Sequence, residues 1–193
     1  RGPHRQSRLL PLNDPRPAGG AFSGRHHLAV PHAFRHHRPM AHHLTAADVL
    51  RGTCRWLLRA GVAPLAEVPL AGGRRADILG VDAAGRLTLV EIKVSLADLR
   101  GDRKWTDYLD HCDRYFWAVP AGLPLDDLHT PSFRPDETGL IIADRFDAEA
   151  VRDAPWRPLN AARRKAITLG LARRGAQRWL AQVDPESQAF GID

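Results

Sequence analysis

Three charged residues lie within or beside apolar stretches of the chain: Asp77, Glu91 and Lys93. Burying a charge in an apolar strand is costly, so such residues need either partners or a function. Alternate residues of a strand share a face, so Glu91 and Lys93 point the same way, and a neighbouring strand can bring Asp77 beside Glu91. Two converging carboxylates repel each other unless one is protonated or a cation lies between them. Their hard oxygen atoms suit Mg²⁺ or Mn²⁺.

Lys93 adds a positive charge to this pair. An ammonium group beside two carboxylates can orient an attacking water and offset the charge that builds up on a phosphoryl group. The three residues therefore predict a metal-dependent hydrolytic centre, with Asp77 and Glu91 as metal ligands and Lys93 as a further catalytic residue. The alternative is a purely structural buried salt bridge between Lys93 and Glu91 or Asp77.

The elements that would position these residues are readable from the pattern of apolar residues. Thr45 and Asp48 form a capping-box-like start, and apolar residues at steps of three and four predict an amphipathic helix that ends at Gly61. Strands are predicted at 65–70 and 76–81, on either side of a glycine-containing turn, and at 87–94. The last of these is apolar except at Glu91 and Lys93, as expected of a central strand.

The second half of the chain predicts a polar helix from Leu96 to about Asp113, a strand at 115–119, a surface loop at 120–138, a strand at 139–143 and a final helix at 160–181. The order is helix, three strands, helix, two strands, helix. This order predicts one α/β domain over residues 40–193, with a mixed sheet flanked by helices.

The whole pattern resembles the PD-(D/E)XK nuclease superfamily, whose signature is an Asp on the second strand and (D/E)-x-K on the third. Ala76 stands in place of the signature proline, which supplies no ligand. Over about residues 44–180 the chain is also similar to the MmcB family of bacterial DNA repair proteins. The segments that carry this similarity are 75–79 (RADIL), 90–95 (VEIKVS), 98–105 (DLRGDRKW), 107–110 (DYLD), 112–116 (CDRYF) and 118–120 (AVP).

This resemblance implies a restriction-endonuclease-like core and a cytoplasmic DNA repair endonuclease that uses Mg²⁺ or Mn²⁺. It gives Asp77, Glu91 and Lys93 the metal-binding and catalytic roles of the superfamily. A non-cleaving, DNA-binding repair accessory protein with the same fold is the alternative. Many superfamily members also use an acid from the first helix, but Asp48 is expected to cap that helix. Glu67 falls opposite Asp77 in the hairpin and is predicted as a third ligand, unless it is an ordinary exposed strand glutamate.

Two groups of basic residues are candidates for contacts with DNA phosphates. Arg100, Arg103 and Lys104 follow the catalytic strand, although Asp98 and Asp102 between them fit a solvated, salt-bridged turn nearly as well. The last helix has no acid between Pro155 and Val183, and its arginines share an arc of about 100° opposite an apolar face. These predicted phosphate contacts are Arg163, Arg164, Arg174 and Arg178, and an ordinary solvated face is the alternative.

The charge of the chain is unevenly distributed. The first 39 residues hold seven arginines, one acid and six prolines, and without them the totals of 28 basic and 22 acidic residues fall to 21 of each. The high pI therefore says nothing about DNA binding by the rest of the chain. Because Met40 is the only methionine, we expect residues 1–39 to lie upstream of the natural start; a basic disordered arm is the alternative.

Several other classes are disfavoured by the sequence. No run approaches the roughly 20 apolar residues that a membrane span needs. Cys54 and Cys112 give neither a disulfide framework nor a CxxC metal site, which fits a reducing cytoplasm. The sequence leaves a homodimer open.

Overall fold

The computed structural model describes residues 44–102 and 104–190, with no side-chain description for 189 and 190. The leader at 1–39, Met40 and Arg103 lie outside the described residues. The helices are α1 (Ala46–Arg59), α2 (Leu96–Gly101) and α3 (Ala161–Val183). The strands are β1 (Val62–Pro69), β2 (Arg75–Asp82), β3 (Leu87–Ile92), β4 (Arg114–Pro120), β5 (Gly139–Ala143) and β6 (Ala148–Arg152). Short 3₁₀ helices cover Trp105–His111, Asp126–His129, Pro131–Phe133 and Pro185–Phe190.

The six strands form one sheet in the order β1-β2-β3-β4-β5-β6. β1, β2 and β3 pair antiparallel, β3, β4 and β5 pair parallel, and β6 returns antiparallel to β5. This arrangement confirms the predicted α/β class and the mixed sheet flanked by helices. Among the described residues, no helix combines the length and the apolar character that crossing a membrane requires.

The sheet separates two apolar layers. On one face α1 packs through Val49 and Leu57 against Ile78, Val90 and Phe116. The opposite layer contains the 3₁₀ helix Trp105–His111 and α3. Its buried members include Leu79, Leu89, Trp117, Tyr115 and Leu171. Because side chains alternate along β3, Glu91 and Lys93 belong to this second face.

The capping box predicted for α1 is confirmed. The Thr45 hydroxyl accepts a hydrogen bond from the Asp48 N–H, and the Asp48 carboxylate accepts one from the Thr45 N–H at 3.1 Å. This use of Asp48 satisfies donors at the start of the helix. Asp48 is therefore committed to the cap, as the sequence analysis expected.

Gly52 allows α1 to lie directly on the loop between β5 and β6. A Cβ atom at this position would overlap the backbone carbonyl oxygens of Asp144 and Asp147. We expect Gly52→Ala to lower the free energy of unfolding by about 1–3 kcal/mol, because backbone atoms cannot move aside cheaply. Urea denaturation measures this change. The control is Gly175→Ala in α3, where the new methyl group meets nothing within 4 Å; an equal loss in both variants would contradict the steric explanation.

The polar helix predicted from Leu96 to about Asp113 is wrong in its length. α2 ends at Gly101, and the chain resumes as the 3₁₀ helix Trp105–His111. Glycine disfavours a helix, and the Asp102 side chain accepts a hydrogen bond from the Lys104 N–H at 3.3 Å instead of allowing the helix to continue. The break therefore follows from local chemistry.

Two further differences concern the second half of the chain. β6 was not predicted, because its sequence (AEAVR) contains only one large apolar residue and it lies at the edge of the sheet. The predicted surface loop at 120–138 contains two 3₁₀ helices, and it buries Leu128 and Phe133 in the core. Short 3₁₀ turns leave weak sequence patterns, which explains why they were missed.

The predicted orientation of α3 is also wrong. Leu171 is buried and Ile167 packs beside it, whereas the expected apolar face points outward, with Leu169 55% and Leu180 48% exposed. Trp179 and Val183 are also exposed on this helix, at 65% and 57%. The helix thus docks through the arc that contains its arginines. The opposite face consists mainly of alanine, so its burial would contribute less stability. Burial of Leu171 and Ile167, together with the hydrogen bonds of Arg164 and Arg178, therefore determines which face docks.

Candidate metal and catalytic centre

Asp77 and Glu91 meet where β2 and β3 stop pairing. The β2–β3 ladder ends at Ile78 and Val90, one position before the two acids. Beyond that point the side chains replace the missing backbone bonds. The Asp77 N–H donates to Glu91 Oε1 at 3.3 Å, and the Ile92 N–H donates to Asp77 Oδ2 at 2.7 Å. These two bonds hold both carboxylates side by side, as the sequence analysis predicted.

The surroundings of Asp77 and Glu91 make it unfavourable for both carboxylates to be ionised at once. Burial, followed by the neighbouring Asp77 carboxylate, raises the pKa of Glu91 to about 8. Burial also raises the pKa of Asp77, although the Ile92 N–H and Lys93 oppose that change. Glu91 is only 4% exposed, so water screens the repulsion poorly. A bound cation would relieve this repulsion.

The donor set fits a hard divalent cation. Among the described residues, Asp77 Oδ1 and Glu91 Oε2 accept no hydrogen bond, so each acid keeps one oxygen for a ligand. Carboxylate oxygens are the ligands that Mg²⁺ and Mn²⁺ prefer. Within the described part of the chain, no three Asp, Glu, His or Cys side chains are placed so that together they could hold a metal ion. The protein therefore offers two carboxylates, and water and phosphate would complete the coordination.

Glu67 lies at the position predicted for it, but its carboxylate turns aside. The pairs Ala66 with Ile78 and Val68 with Ala76 place Glu67 opposite Asp77. Glu67 itself has a positive φ of 53°, and its carboxylate pairs with Arg75 at 2.7 Å. Arg178 donates to the backbone carbonyls of Ala66 and Glu67 at this irregular point. A role for Glu67 as a third ligand stays a prediction that requires release from Arg75.

Lys93 is held by acids that the sequence analysis assigned to a surface turn. Its ammonium lies 2.8 Å from Asp102 Oδ2 and 3.8 Å from Asp98 Oδ1. Among the described residues, neither Asp77 nor Glu91 forms an ion pair with Lys93. A buried salt bridge of Lys93 is present, but its partners are Asp102 and Asp98 and not the two acids expected. Burial lowers the pKa of Lys93, but the hydrogen bond that Lys93 donates to Asp102 outweighs this effect, and the net direction is upward. Lys93 thus stays charged beside the carboxylate pair.

We expect Asp102→Asn to lower the free energy of unfolding by about 1–3 kcal/mol, because it leaves a buried ammonium with a weaker partner. The matched control is Asp98→Asn, at a more exposed and more distant acid, whose loss should cost under about 1 kcal/mol. Urea denaturation of both variants measures the difference. Equal losses would show that Asp102 is not the principal partner of Lys93.

Aromatic residues form the wall behind the carboxylates. Trp117 lies beside Glu91 in the parallel register of β3 and β4. Trp105 and Tyr115 both pack edge-on against it, at ring distances of 5.3 and 5.1 Å. The Tyr108 hydroxyl donates to the Arg75 carbonyl at 3.2 Å. Trp105, Tyr108 and Trp117 are therefore core residues.

The predicted phosphate contacts fall into two classes. Arg100 pairs with Asp127 at 2.6 Å, Arg164 pairs with buried Asp113, and Arg178 binds backbone carbonyls. These three side chains are thus engaged within the protein. Lys104 and Arg174 form no ion pair among the described residues, and Arg163 keeps only exposed Asp110, at 3.6 Å. Arg103 lies outside the described residues.

The geometry is thus a pair of buried carboxylates with a lysine two residues along the same strand. The family model of DNA repair protein MmcB-like matches residues 37–186. The chain belongs to the MmcB-like DNA repair family. This membership confirms the similarity to the MmcB family drawn from the sequence. No curated protein matches the chain.

Two solved structures resemble this MmcB-like protein. The SPO1766 protein of unknown function from Silicibacter pomeroyi is 40% identical, with a TM-score of 0.67, over 73% of this chain and 92% of that chain. A repair endonuclease from Pyrococcus abyssi is 18% identical, with a TM-score of 0.31, over 48% of this chain and 45% of that chain. The first of these shares most of its length with the MmcB-like domain.

Two residues of the MmcB-like domain gained importance only from the structure. Asp102 was assigned to a turn, but it is the principal partner of Lys93. Asp113 was placed at the end of a helix, but it joins β3, β4 and α3. One sequence signal was available for Asp102: the aspartates at 98 and 102 are the nearest acids after Lys93 in the chain.

Proposed function

We propose that this MmcB-like protein is a cytoplasmic DNA repair endonuclease that hydrolyses phosphodiester bonds with Mg²⁺ or Mn²⁺. The observation that carries the proposal is the break in the β2–β3 ladder, where Asp77 and Glu91 each keep one free oxygen and Lys93 follows on the same face. A protein that needs only stability has no use for two facing buried carboxylates.

The bound cation would supply Lewis-acid polarisation of a phosphoryl oxygen. Asp77 and Glu91 would hold it through their free oxygens. Lys93 would donate a hydrogen bond either to the attacking water or to a non-bridging phosphate oxygen, and its charge would offset the negative charge that builds up there. Asp102 would orient the ammonium from behind, at the 2.8 Å distance that it already has.

The alternative is an accessory protein that binds DNA without cleaving it. Two carboxylates in a DNA-facing site repel phosphate, so a pure binding site would gain affinity by losing them. Their presence favours the enzyme. Binding of DNA, assembly as a homodimer and the position of Glu67 as a ligand all stay predictions.

The experiment that tests the proposal incubates the full chain with labelled duplex, nicked, flapped and four-way DNA. Each substrate is given Mg²⁺, Mn²⁺ or a chelator. We expect cleavage of at least one substrate with either metal and none with the chelator. Binding without cleavage in every condition would support the accessory protein instead.

A further inference from the structure

A groove lies beside the candidate centre on the same face of the sheet. It has a volume of about 510 Å³ and runs between α3, the β1–β2 turn and the end of the 3₁₀ helix Trp105–His111. Ala71, Gly72, Asp110 and His111 also line a second depression of about 520 Å³, which continues past Gly73 to Lys104. The two depressions therefore share a wall and lie side by side.

The floor and the rim of this groove differ in chemistry. Leu70 and Ile167, both partly exposed, form the accessible apolar floor, above buried Val68 and Leu79. Arg163 and Arg174 line one part of the groove, and Arg74 and Lys104 line the other. Asp110 and Asp107 offset Arg163 and Arg74. Arg174 and Lys104 form no ion pair among the described residues and are available to a ligand.

The groove lies on the same face of the sheet as the two carboxylates. Leu79 lines it, and Leu79 and Asp77 share a face of β2 two residues apart, which is about 7 Å along the strand. A polymer bound in the groove would therefore lie close to Asp77 along β2. None of Asp77, Glu91 and Lys93 lines the groove itself, so it is a separate binding surface.

We propose that this groove binds an unpaired DNA strand that leads into the centre. Its cationic rim complements phosphates, and its apolar floor complements base faces. A duplex keeps those faces stacked inside and presents phosphates and groove edges, to which the apolar floor offers nothing. The inference rests on the proposed function in naming DNA, and it makes the substrate one with an unpaired segment.

The test measures binding by fluorescence anisotropy, in chelator so that cleavage plays no part. The probes are a 12-nucleotide thymidine strand, an abasic strand of the same length and a 12-base-pair duplex. The groove variant is Arg174→Ala with Lys104→Ala. The control is Arg51→Ala with Lys165→Ala, which removes the same charge from α1 and from an exposed position of α3.

We expect the groove variant to weaken binding of the thymidine strand by about tenfold and to reduce its log-log salt slope by roughly 0.7 per lost phosphate contact. The control and the duplex should change less than about twofold. The abasic strand should bind the wild-type protein several-fold more weakly than the thymidine strand, because only the latter has bases for the floor. Melting temperatures of all variants should match the wild type.

Four outcomes would overturn the inference: normal strand binding by the groove variant, equal binding of the thymidine and abasic strands, a parallel loss of strand and duplex binding, or an equal loss in the control. None of these depends on cleavage. If the protein binds the unpaired strand selectively but cleaves no DNA, the groove proposal stands and the endonuclease proposal fails. If the protein cleaves DNA but the groove variant binds the strand normally, the endonuclease proposal stands and the groove proposal fails.

Discussion

Replacing Glu91 by glutamine or Asp77 by asparagine is expected to slow metal-dependent DNA cleavage by roughly 10²- to 10⁴-fold. Both amides keep the shape of the acid and one carbonyl oxygen, so they can still accept the N–H bonds of Asp77 and Ile92. What they lose is ligand charge. DNA binding in chelator should persist in both variants. It should become tighter in Asp77→Asn, because a carboxylate no longer repels the phosphate, whereas Glu91, with a pKa of about 8, is already mostly protonated at neutral pH without a cation.

Lys93→Ala should slow cleavage within the same range while leaving metal affinity nearly unchanged, because the ammonium is not a ligand. Its loss also leaves Asp102 without its ion-pair partner, so the melting temperature must be measured on each preparation. The variant Asp102→Asn breaks the same pair but keeps the lysine, so it measures how much stability the pair contributes. If the activity lost by Lys93→Ala only follows its loss of folded protein, Lys93 is structural and the catalytic role is contradicted.

Asp113→Ala is expected to lower the free energy of unfolding by about 3–5 kcal/mol, the usual cost of breaking a buried ion pair from one side. Asp113 is 1% exposed, and its carboxylate accepts bonds from the N–H groups of Leu87 and Leu159, both at 2.8 Å. It also pairs with Arg164 of α3. Its loss would leave several donors unsatisfied at once, so chemical denaturation should show a large effect.

A matched variant separates this effect from a general loss of charge. Arg163→Ala removes the neighbouring arginine of α3, whose partner Asp110 is 79% exposed, and should cost less than about 1 kcal/mol. A small effect of Asp113→Ala, similar to that of Arg163→Ala, would contradict the assignment of Asp113 as the residue that ties α3 to the sheet.

The stability of the protein should also fall in acid through Asp113. Burial raises its pKa, but Arg164 and the two N–H donors lower it more, so the net pKa lies below the ordinary 3.8. A lowered carboxyl pKa contributes stability that is complete above 3.8 and is lost as the pH falls through the folded-state value. The Asp113→Ala variant should therefore lose less stability below pH 4 than the wild type does.

The sequence was sufficient for the parts of the fold that have strong local patterns. The capping box at Thr45, the glycine turn of the hairpin and the apolar run of β3 each depend on residues close together in the chain. The convergence of Asp77 and Glu91 followed from strand alternation and a short turn, which set the register between neighbouring strands. The mixed sheet followed from the order of these elements.

The remaining features depend on contacts between distant parts of the chain. The orientation of α3 was misjudged because its arginines find partners elsewhere in the fold: Arg164 pairs with Asp113, and Arg178 binds carbonyls of β1. A helical projection contains no information about such partners. Asp102 was misjudged for the same reason, because its ion pair with Lys93 requires α2 to stop at Gly101 and the chain to turn back.

The most direct measurement of the central claim is a calorimetric titration of Mn²⁺ into the wild-type protein and the Glu91→Gln variant at neutral pH. It reports ligand binding without requiring the right DNA substrate. We predict a Mn²⁺ site in the wild type that is weakened at least tenfold in the variant, with both proteins melting at similar temperatures. Equal affinity in the two proteins, or no binding to the wild type, would contradict the assignment of Asp77 and Glu91 as a metal centre.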